Sequence, residues 1–375
     1  MLPESVAYIP SQNQALVAWK DQGKAAIGYF CASFPKEIIY AADIFPVRIM
    51  GSSDPIEYGY DEFCRFTCCL SRSAVDLAFK GNLEMLDGVV FTYTCDVMHF
   101  LAPRWQQFPS EQGKFWYYLT RPTKSSTEGA TRFLKKELSD LKQEIETYFK
   151  VAIKDDDLKH AIAVYNEQRE LLRDVDKLKK EGFISCVEAQ KLNFKSMLTP
   201  PEEYNTFLQS LITEIKKEAQ PQNQEAIKLF LAGATLPDTE LFELIEEEGA
   251  TVIEDDLCVG SRYRRGIIPA DQDPLTALAR YYLADDEVSR QCSSMLTENR
   301  YDERLKYIEA AIKNHDIKGV IFTVPYNCDK HYWDVMWLQK DLLEKQIPSL
   351  ILQPEGHMKS EAIRTRVAAF LEMLV

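Results

Sequence analysis

The sequence predicts an α/β fold made of two flavodoxin- or Rossmann-like domains, related by internal duplication and separated by a helical insert. Three observations predict it. Apolar, β-favouring runs alternate with helical patterns at both ends of the chain, the order that parallel sheets with crossover helices produce. The middle of the chain changes to long, charge-dense helices. The two ends also repeat themselves: Leu86-Asp-Gly-Val-Val-Phe-Thr-Tyr-Thr-Cys95-Asp96 returns as Ile317-Lys-Gly-Val-Ile-Phe-Thr-Val-Pro-Tyr-Asn-Cys328-Asp329. The boundaries that follow are an N-terminal α/β domain over 1–130, a helical segment and linker over 131–224, and a C-terminal α/β domain over 225–375.

In the first domain Ala25 to Tyr29 reads as a strand, and Pro35 to Phe45 as a helix with Pro at its start and Glu37 in its first turn. Pro46 to Gly51 is the second strand. Asp61 to Lys80 reads as one amphipathic helix carrying Cys64, Cys68 and Cys69, ended by Gly81. The Cys95 strand follows, then a helical or irregular stretch through His99 and Trp105, a strand at Phe115 to Leu119, and a polar loop from Arg121 to Gly129. Helices over Phe133–Phe149, Leu158–Lys180 and Pro201–Ala219 show Leu, Ile and Tyr at helical spacing, so their charges read as solvated faces beside a packed stripe. Gln220 to Gln224 reads as a linker. In the last domain strands fall at Ile227–Leu231, Ala250–Ile253, the Cys328 run and Pro348–Leu352. Helices fall at Pro237–Glu248, Asp273–Leu283, Tyr301–His315, Trp333–Lys345 and Ser360–Leu374. Shorter matches keep the same order in both halves, such as Ile27-Gly-Tyr-Phe-Cys-Ala-Ser-Phe-Pro35 with Leu229-Phe-Leu-Ala-Gly-Ala-Thr-Leu-Pro237.

Composition narrows the function. The chain has 375 residues, 46% of them apolar, enough for two or three domains with a large core. A net charge of -14 without a basic stripe argues against nucleic acid and against anionic membrane surfaces as partners. No apolar run has the length of a membrane span, and no secretion signal is visible, so the expected compartment is the cytoplasm. Nine cysteines, an odd number with no CxxC pair, argue against a disulfide framework, a zinc ribbon and a thioredoxin site.

Isolated cysteines at the carboxyl ends of strands suggest another use. Three soft thiolates converging on one crevice suit an iron–sulfur cluster better than a hard ion. The candidates are Cys95 and Cys328 from the twin strands, with one of Cys64, Cys68 and Cys69. The competing reading is a set of buried structural thiols. His99 and His331 each follow a candidate cysteine closely, as proton or hydrogen-bond donors or as ordinary junction residues. Arg262, Arg264 and Arg265 read as a solvated basic turn, with contact to a ligand's phosphates as the sharper alternative. Trp105, Trp116, Tyr117 and Tyr118 suit core packing and an acyl pocket equally.

An ordered set of segments resembles the subunits of the (R)-2-hydroxyacyl-CoA dehydratase and class I, ATP-dependent benzoyl-CoA reductase family. The segments are Phe45-Pro-Val-Arg-Ile-Met-Gly-Ser52, Cys68-Cys-Leu-Ser-Arg72-Ser73, Asp87-Gly-Val-Val with Thr94-Cys-Asp96, Asp255-Asp-Leu-Cys-Val-Gly-Ser-Arg-Tyr263, Asp273-Pro-Leu, and Thr365 to Leu374. The resemblance spans almost the whole chain. In that family a Cys is followed four positions later by Arg or Lys and then Ser, which places the first ligand at Cys68. It implies a [4Fe-4S] cluster on Cys68, Cys95 and Cys328, a homologous cluster-binding partner subunit, an ATP-hydrolysing iron–sulfur activator as electron donor, and an acyl-CoA substrate. Ring reduction of an aromatic acyl-CoA is the first expectation. Elimination of water from a 2-hydroxyacyl-CoA through a ketyl radical is the second, and an electron-relay role or a double-cubane [8Fe-9S] cluster using Cys258 and Cys292 the third. No P-loop motif is present, which fits ATP use on another chain. The family often carries an acidic residue directly after the last strand; here it is displaced to Glu355, a further weak catalytic candidate with His99 and His331.

Overall fold

A computed structural model describes residues 8–218, 220–221, 225–270, 273–283 and 300–375. Cys292 lies outside these residues. The first domain contains α1 (Gln14–Asp21), β1 (Ala26–Tyr29), α2 (Lys36–Tyr40), β2 (Phe45–Arg48), α3 (Gly59–Glu62), α4 (Cys69–Phe79), β3 (Gly88–Thr92), α5 (Asp96–Trp105) and β4 (Phe115–Leu119). The helical segment contains α6 (Glu128–Phe149), α7 (Asp155–Lys180), α8 (Cys186–Met197) and α9 (Pro201–Glu218). The last part contains β5 (Ile227–Gly233), α10 (Glu240–Glu247), β6 (Ala250–Asp256), α11 (Ser261–Arg264), α12 (Pro274–Leu283), α13 (Arg300–His315), β7 (Gly319–Thr323), α14 (Asp329–Glu344), β8 (Ser349–Leu352) and α15 (Glu361–Glu372).

The fold is α/β, with two four-stranded sheets in the orders β2-β1-β3-β4 and β6-β5-β7-β8. Every pairing is parallel, with β1 held between β2 and β3 and β5 between β6 and β7. The identical order agrees with the repeat read in the sequence. Buried parallel strands need apolar side chains on both faces, and β1, β2, β3 and β7 are buried along their whole length. In each sheet the chain reverses its direction of travel between the first and third strands. A crevice opens there at the carboxyl ends, the usual ligand position in open α/β sheets.

One apolar core runs through both sheets. It joins Phe45 and Val47 of β2, Phe91 of β3, Leu192 and Phe194 of α8, Leu229 and Leu231 of β5 and Val252 of β6. Helix α8 touches both β2 and β6, the inner edge strands. A second core packs Ile27, Val90, Leu134 and Leu138 against Leu278 and Tyr282 of α12. Thus α12, which lies beyond the linker in sequence, completes the core beside the first sheet by packing on α6 and α7.

Two expectations are corrected. The helix read over Asp61 to Lys80 is broken: α3 ends at Glu62, α4 starts at Cys69, and Cys68 is its N-cap. The carboxylate of Asp76 explains the break, since it accepts the backbone N–H groups of Glu57, Tyr58 and Gly59 at 2.8, 2.6 and 3.3 Å and fixes the chain ahead of α4. The twin strands also stop short of their cysteines. β3 ends at Thr92 and β7 at Thr323, and Cys95 and Cys328 are the N-caps of α5 and α14.

Candidate functional site

Cys68, Cys95 and Cys328 line one cavity of about 130 Å³ at the carboxyl ends of the two sheets. The thiols predicted from sequence are therefore brought together. Each is the N-cap of a helix of ten residues or more. Three helix N-termini, with the partial positive charge of their aligned peptide dipoles, thus meet at one crevice, a setting that favours anions and thiolates.

Two more thiols line the same cavity. Cys31 follows β1 and accepts the N–H of Ser33 at 3.4 Å; Cys258 follows β6, and Arg262 Nη1 donates to its sulfur at 3.5 Å. Cys258 was a candidate from sequence and Cys31 was not. Its signal lay in the repeat itself, because it stands two residues after β1, beside the switch point that Cys95 occupies across the sheet. Cys64 is exposed, and Cys69 turns away, donating to the carbonyl of Pro354 at 3.5 Å.

The cavity is unusual in its charge. The chain carries -14 overall, yet among the described residues no carboxylate lines this cavity, whereas Arg48, Lys330 and His331 do. Burial pushes the Cys95 thiol up to about 12, and the neighbouring thiols of Cys68 and Cys31 add to the rise, against the lowering by the Met98 N–H and Lys330. Three thiols close enough to oppose one another's ionisation need a cation, a metal or both to become thiolates. Among the described residues no three His, Cys, Asp or Glu side chains are gathered as ligands of a single metal ion.

The other candidates separate. His331 is buried on the first turn of α14 and lines the cavity. His99 is exposed, does not line it, and is bonded through Nδ1 to the Tyr118 hydroxyl at 2.9 Å. Glu355 lines a neighbouring cavity with Cys69, pairs with buried Arg72 at 3.1 Å and accepts the Tyr60 hydroxyl at 2.7 Å. The basic turn is not solvated and is not free for phosphates. Arg262 and Arg264 are buried and paired with Asp256 and Asp255 at 2.8 and 3.0 Å. Trp105 belongs to the core beside Phe30 and Phe91, with its Nε1 donating to Glu111 at 2.9 Å.

Comparison with known proteins gives a consistent answer. Residues 31–374 match the family model described as 2-hydroxyglutaryl-CoA dehydratase, D-component. The chain is 27% identical to the (R)-phenyllactyl-CoA dehydratase beta subunit of Clostridium sporogenes, over 94% of this chain and 92% of that one. It is likewise 27% identical to a benzoyl-CoA reductase subunit of Thauera aromatica, over 95% and 93%. With the lactoyl-CoA dehydratase subunit beta of Anaerotignum propionicum it shares 25% identity over 94% and 93%. A match over nearly the whole chain, with the candidate cysteines inside it, places this protein in the 2-hydroxyglutaryl-CoA dehydratase D-component family.

Proposed function

We propose that the chain is the cluster-bearing subunit of a complex that reduces an acyl-CoA thioester by single electrons, with Cys68, Cys95 and Cys328 as ligands of one [4Fe-4S] cluster. The observation that carries the reading is the convergence of those three thiols at three helix N-termini in a cavity that no described carboxylate lines. The donor set fits the group. Each ligand of a cubane binds a different iron, so the sulfurs stand further apart than the ligands of one ion. When bound, the cluster supplies a low-potential one-electron reductant that no side chain provides. The chain's own part is to hold three sulfurs, to exclude water with Phe30, Met50 and Met98, and to keep His331 at the cavity wall, within the same enclosure as a protonatable group. Cys258 lies beside the set, as one extra thiol of a larger double-cubane cluster on the alternative reading, whose other candidate, Cys292, is outside the described residues.

Dearomatising reduction of an aromatic acyl-CoA, of the benzoyl-CoA reductase type, is the first assignment. Dehydration of a 2-hydroxyacyl-CoA is the second, favoured by the relatives named as phenyllactyl-CoA and lactoyl-CoA dehydratase subunits. A partner subunit is supported by those relatives, which are themselves named as subunits; its homology to this chain and a separate ATP-hydrolysing activator are part of the proposal. Exposed Trp333, Met336 and Trp337 on α14, the helix that starts at Cys328, offer an apolar face for that partner.

The test is iron and acid-labile sulfide per chain after anaerobic purification. About four irons are expected, falling sharply in Cys68→Ala, Cys95→Ala and Cys328→Ala. About eight irons would establish the double-cubane reading instead. A folded, iron-free protein would sink the proposal. Turnover of an aromatic acyl-CoA against a 2-hydroxyacyl-CoA then separates the two assignments.

A further inference from the structure

Seven arginines are buried among the described residues: Arg48, Arg72, Arg121, Arg169, Arg262, Arg264 and Arg304. Five pair with carboxylates: Arg72 with Glu355, Arg169 with Glu37, Arg262 and Arg304 with Asp256, and Arg264 with Asp255 and Asp176. Arg121 donates to the carbonyl oxygen of Tyr282. Arg48 alone of the seven lines the cysteine cavity. It is 1% exposed, its Nε and Nη1 have no hydrogen-bond partner, and its Nη2 reaches the Thr235 hydroxyl at 3.5 Å, the limit of a hydrogen bond. No carboxylate among the described residues forms an ion pair with it. The Arg48 guanidinium carbon stands 5.7 Å from the centre of the Tyr29 ring, a contact that gives the N–H groups no acceptor oxygen, and a buried guanidinium is costly unless an anion answers it.

The position of Arg48 says where the anion lies. It is the last residue of β2, it stands opposite Tyr29 in the parallel register, and it lines the cysteine cavity. Thr235, its weak partner, follows β5 of the other sheet, so Arg48 reaches across the crevice between the two sheets. Nearby Lys36 has its pKa lowered by burial first and then by Arg169 and Arg48, with Glu37 acting against them.

We propose that Arg48 is the built-in counter-cation of the cluster, its partnerless N–H groups donating to cluster or thiolate sulfur. This rests on the cluster reading given above. Reduction adds a negative charge to the cluster. A buried cation stabilises the reduced form more than the oxidised one, so Arg48 holds the potential up, and hydrogen bonds to sulfur act in the same direction. Arg48 is a positioning and tuning residue; the ligands remain the cysteines.

The experiment uses the complex with its partner, purified without air, and the variants Arg48→Met and Arg48→Lys. Iron and sulfide are counted, and the cluster is titrated by electron paramagnetic resonance in the absence of acyl-CoA, so that no effect on substrate enters. Arg48→Met is expected to keep its iron and to show a reduction equilibrium constant about tenfold lower, about 59 mV for one electron. Arg48→Lys is expected to stay within about threefold of wild type. Loss of iron in Arg48→Met with retention in Arg48→Lys also supports the proposal, because charge then holds the cluster. An unchanged potential in a fully loaded Arg48→Met overturns it and leaves the cluster reading standing. Loss of iron in both variants overturns it, since lysine keeps the charge. An iron-free wild type removes the cluster reading first and this proposal with it.

Discussion

Asp256 shows how differently the two inner edge strands end. Where β2 ends in a cation without a carboxylate, β6 ends in Asp256, which Arg262 and Arg304 meet at 2.8 Å and Arg265 at 3.4 Å. Burial pushes its carboxyl up, but the charges of Arg262, Arg304 and Arg265 outweigh burial and hold it well below the usual carboxylate range. Asp256→Asn leaves guanidinium groups uncompensated in the interior, and urea unfolding is expected to show a loss of about 3–5 kcal/mol. The pH sign follows from the depressed value. Its contribution is present above the unfolded carboxylate pKa and is lost as pH falls through the folded one. Stability measured against pH should therefore show a weaker acid limb in Asp256→Asn; an unchanged limb would remove Asp256 as its source. At this scale the sequence was legible for the thiols, because Cys95 and Cys328 end matching apolar runs. It was not legible for Arg48 and Cys31, whose meaning depends on what stands opposite them. It misled at Arg262 and Arg264, because a run of arginines reads as solvated until the facing aspartates are placed.

The decisive element is the break before α4. A continuous helix over Asp61 to Lys80 would have spread Cys64 and Cys68 along its surface, four residues apart. The break instead makes Cys68 an N-cap, and its cause is one side chain, Asp76, reaching back to three backbone N–H groups. Asp76→Ala is expected to cost about 1–3 kcal/mol and to loosen residues 57–59, seen as faster amide exchange there. Unchanged exchange would show that the break has another origin. Gly233 plays a comparable part at the end of β5. Its φ of +140° is open to glycine, a Cβ there would collide with the Thr323 carbonyl oxygen, and its own carbonyl accepts Arg262 Nη1 at 3.0 Å. Strand and helix periodicity made most elements legible in sequence. The exact ends were not, since an N-cap is chosen by tertiary partners, and the ends are where the cysteines sit.

For the molecule as a whole, the continuous core through α8 ties the two sheets together. Leu192, fully buried on α8, belongs to the core that both sheets share. Leu192→Ala is expected to lower stability by about 2–5 kcal/mol and to leave a single calorimetric transition. Two separated transitions would show that the halves unfold independently. The two α/β regions and their helical insert were visible as changes in periodicity. The packing of α12 on α6 and α7 was not, because nothing in the sequence of an amphipathic helix names the face it covers.

That placement of α12 has a consequence for how the protein is made. The first sheet is fully synthesised once Leu119 leaves the ribosome, but the core that holds Ile27 and Val90 is complete only when Leu278 and Tyr282 join it. At about 5–20 residues per second, the nascent chain carries that incomplete core for on the order of ten seconds or more. For that interval α6 and α7 hold the core without its last helix, and maturation of the N-terminal half waits on translation of the second half.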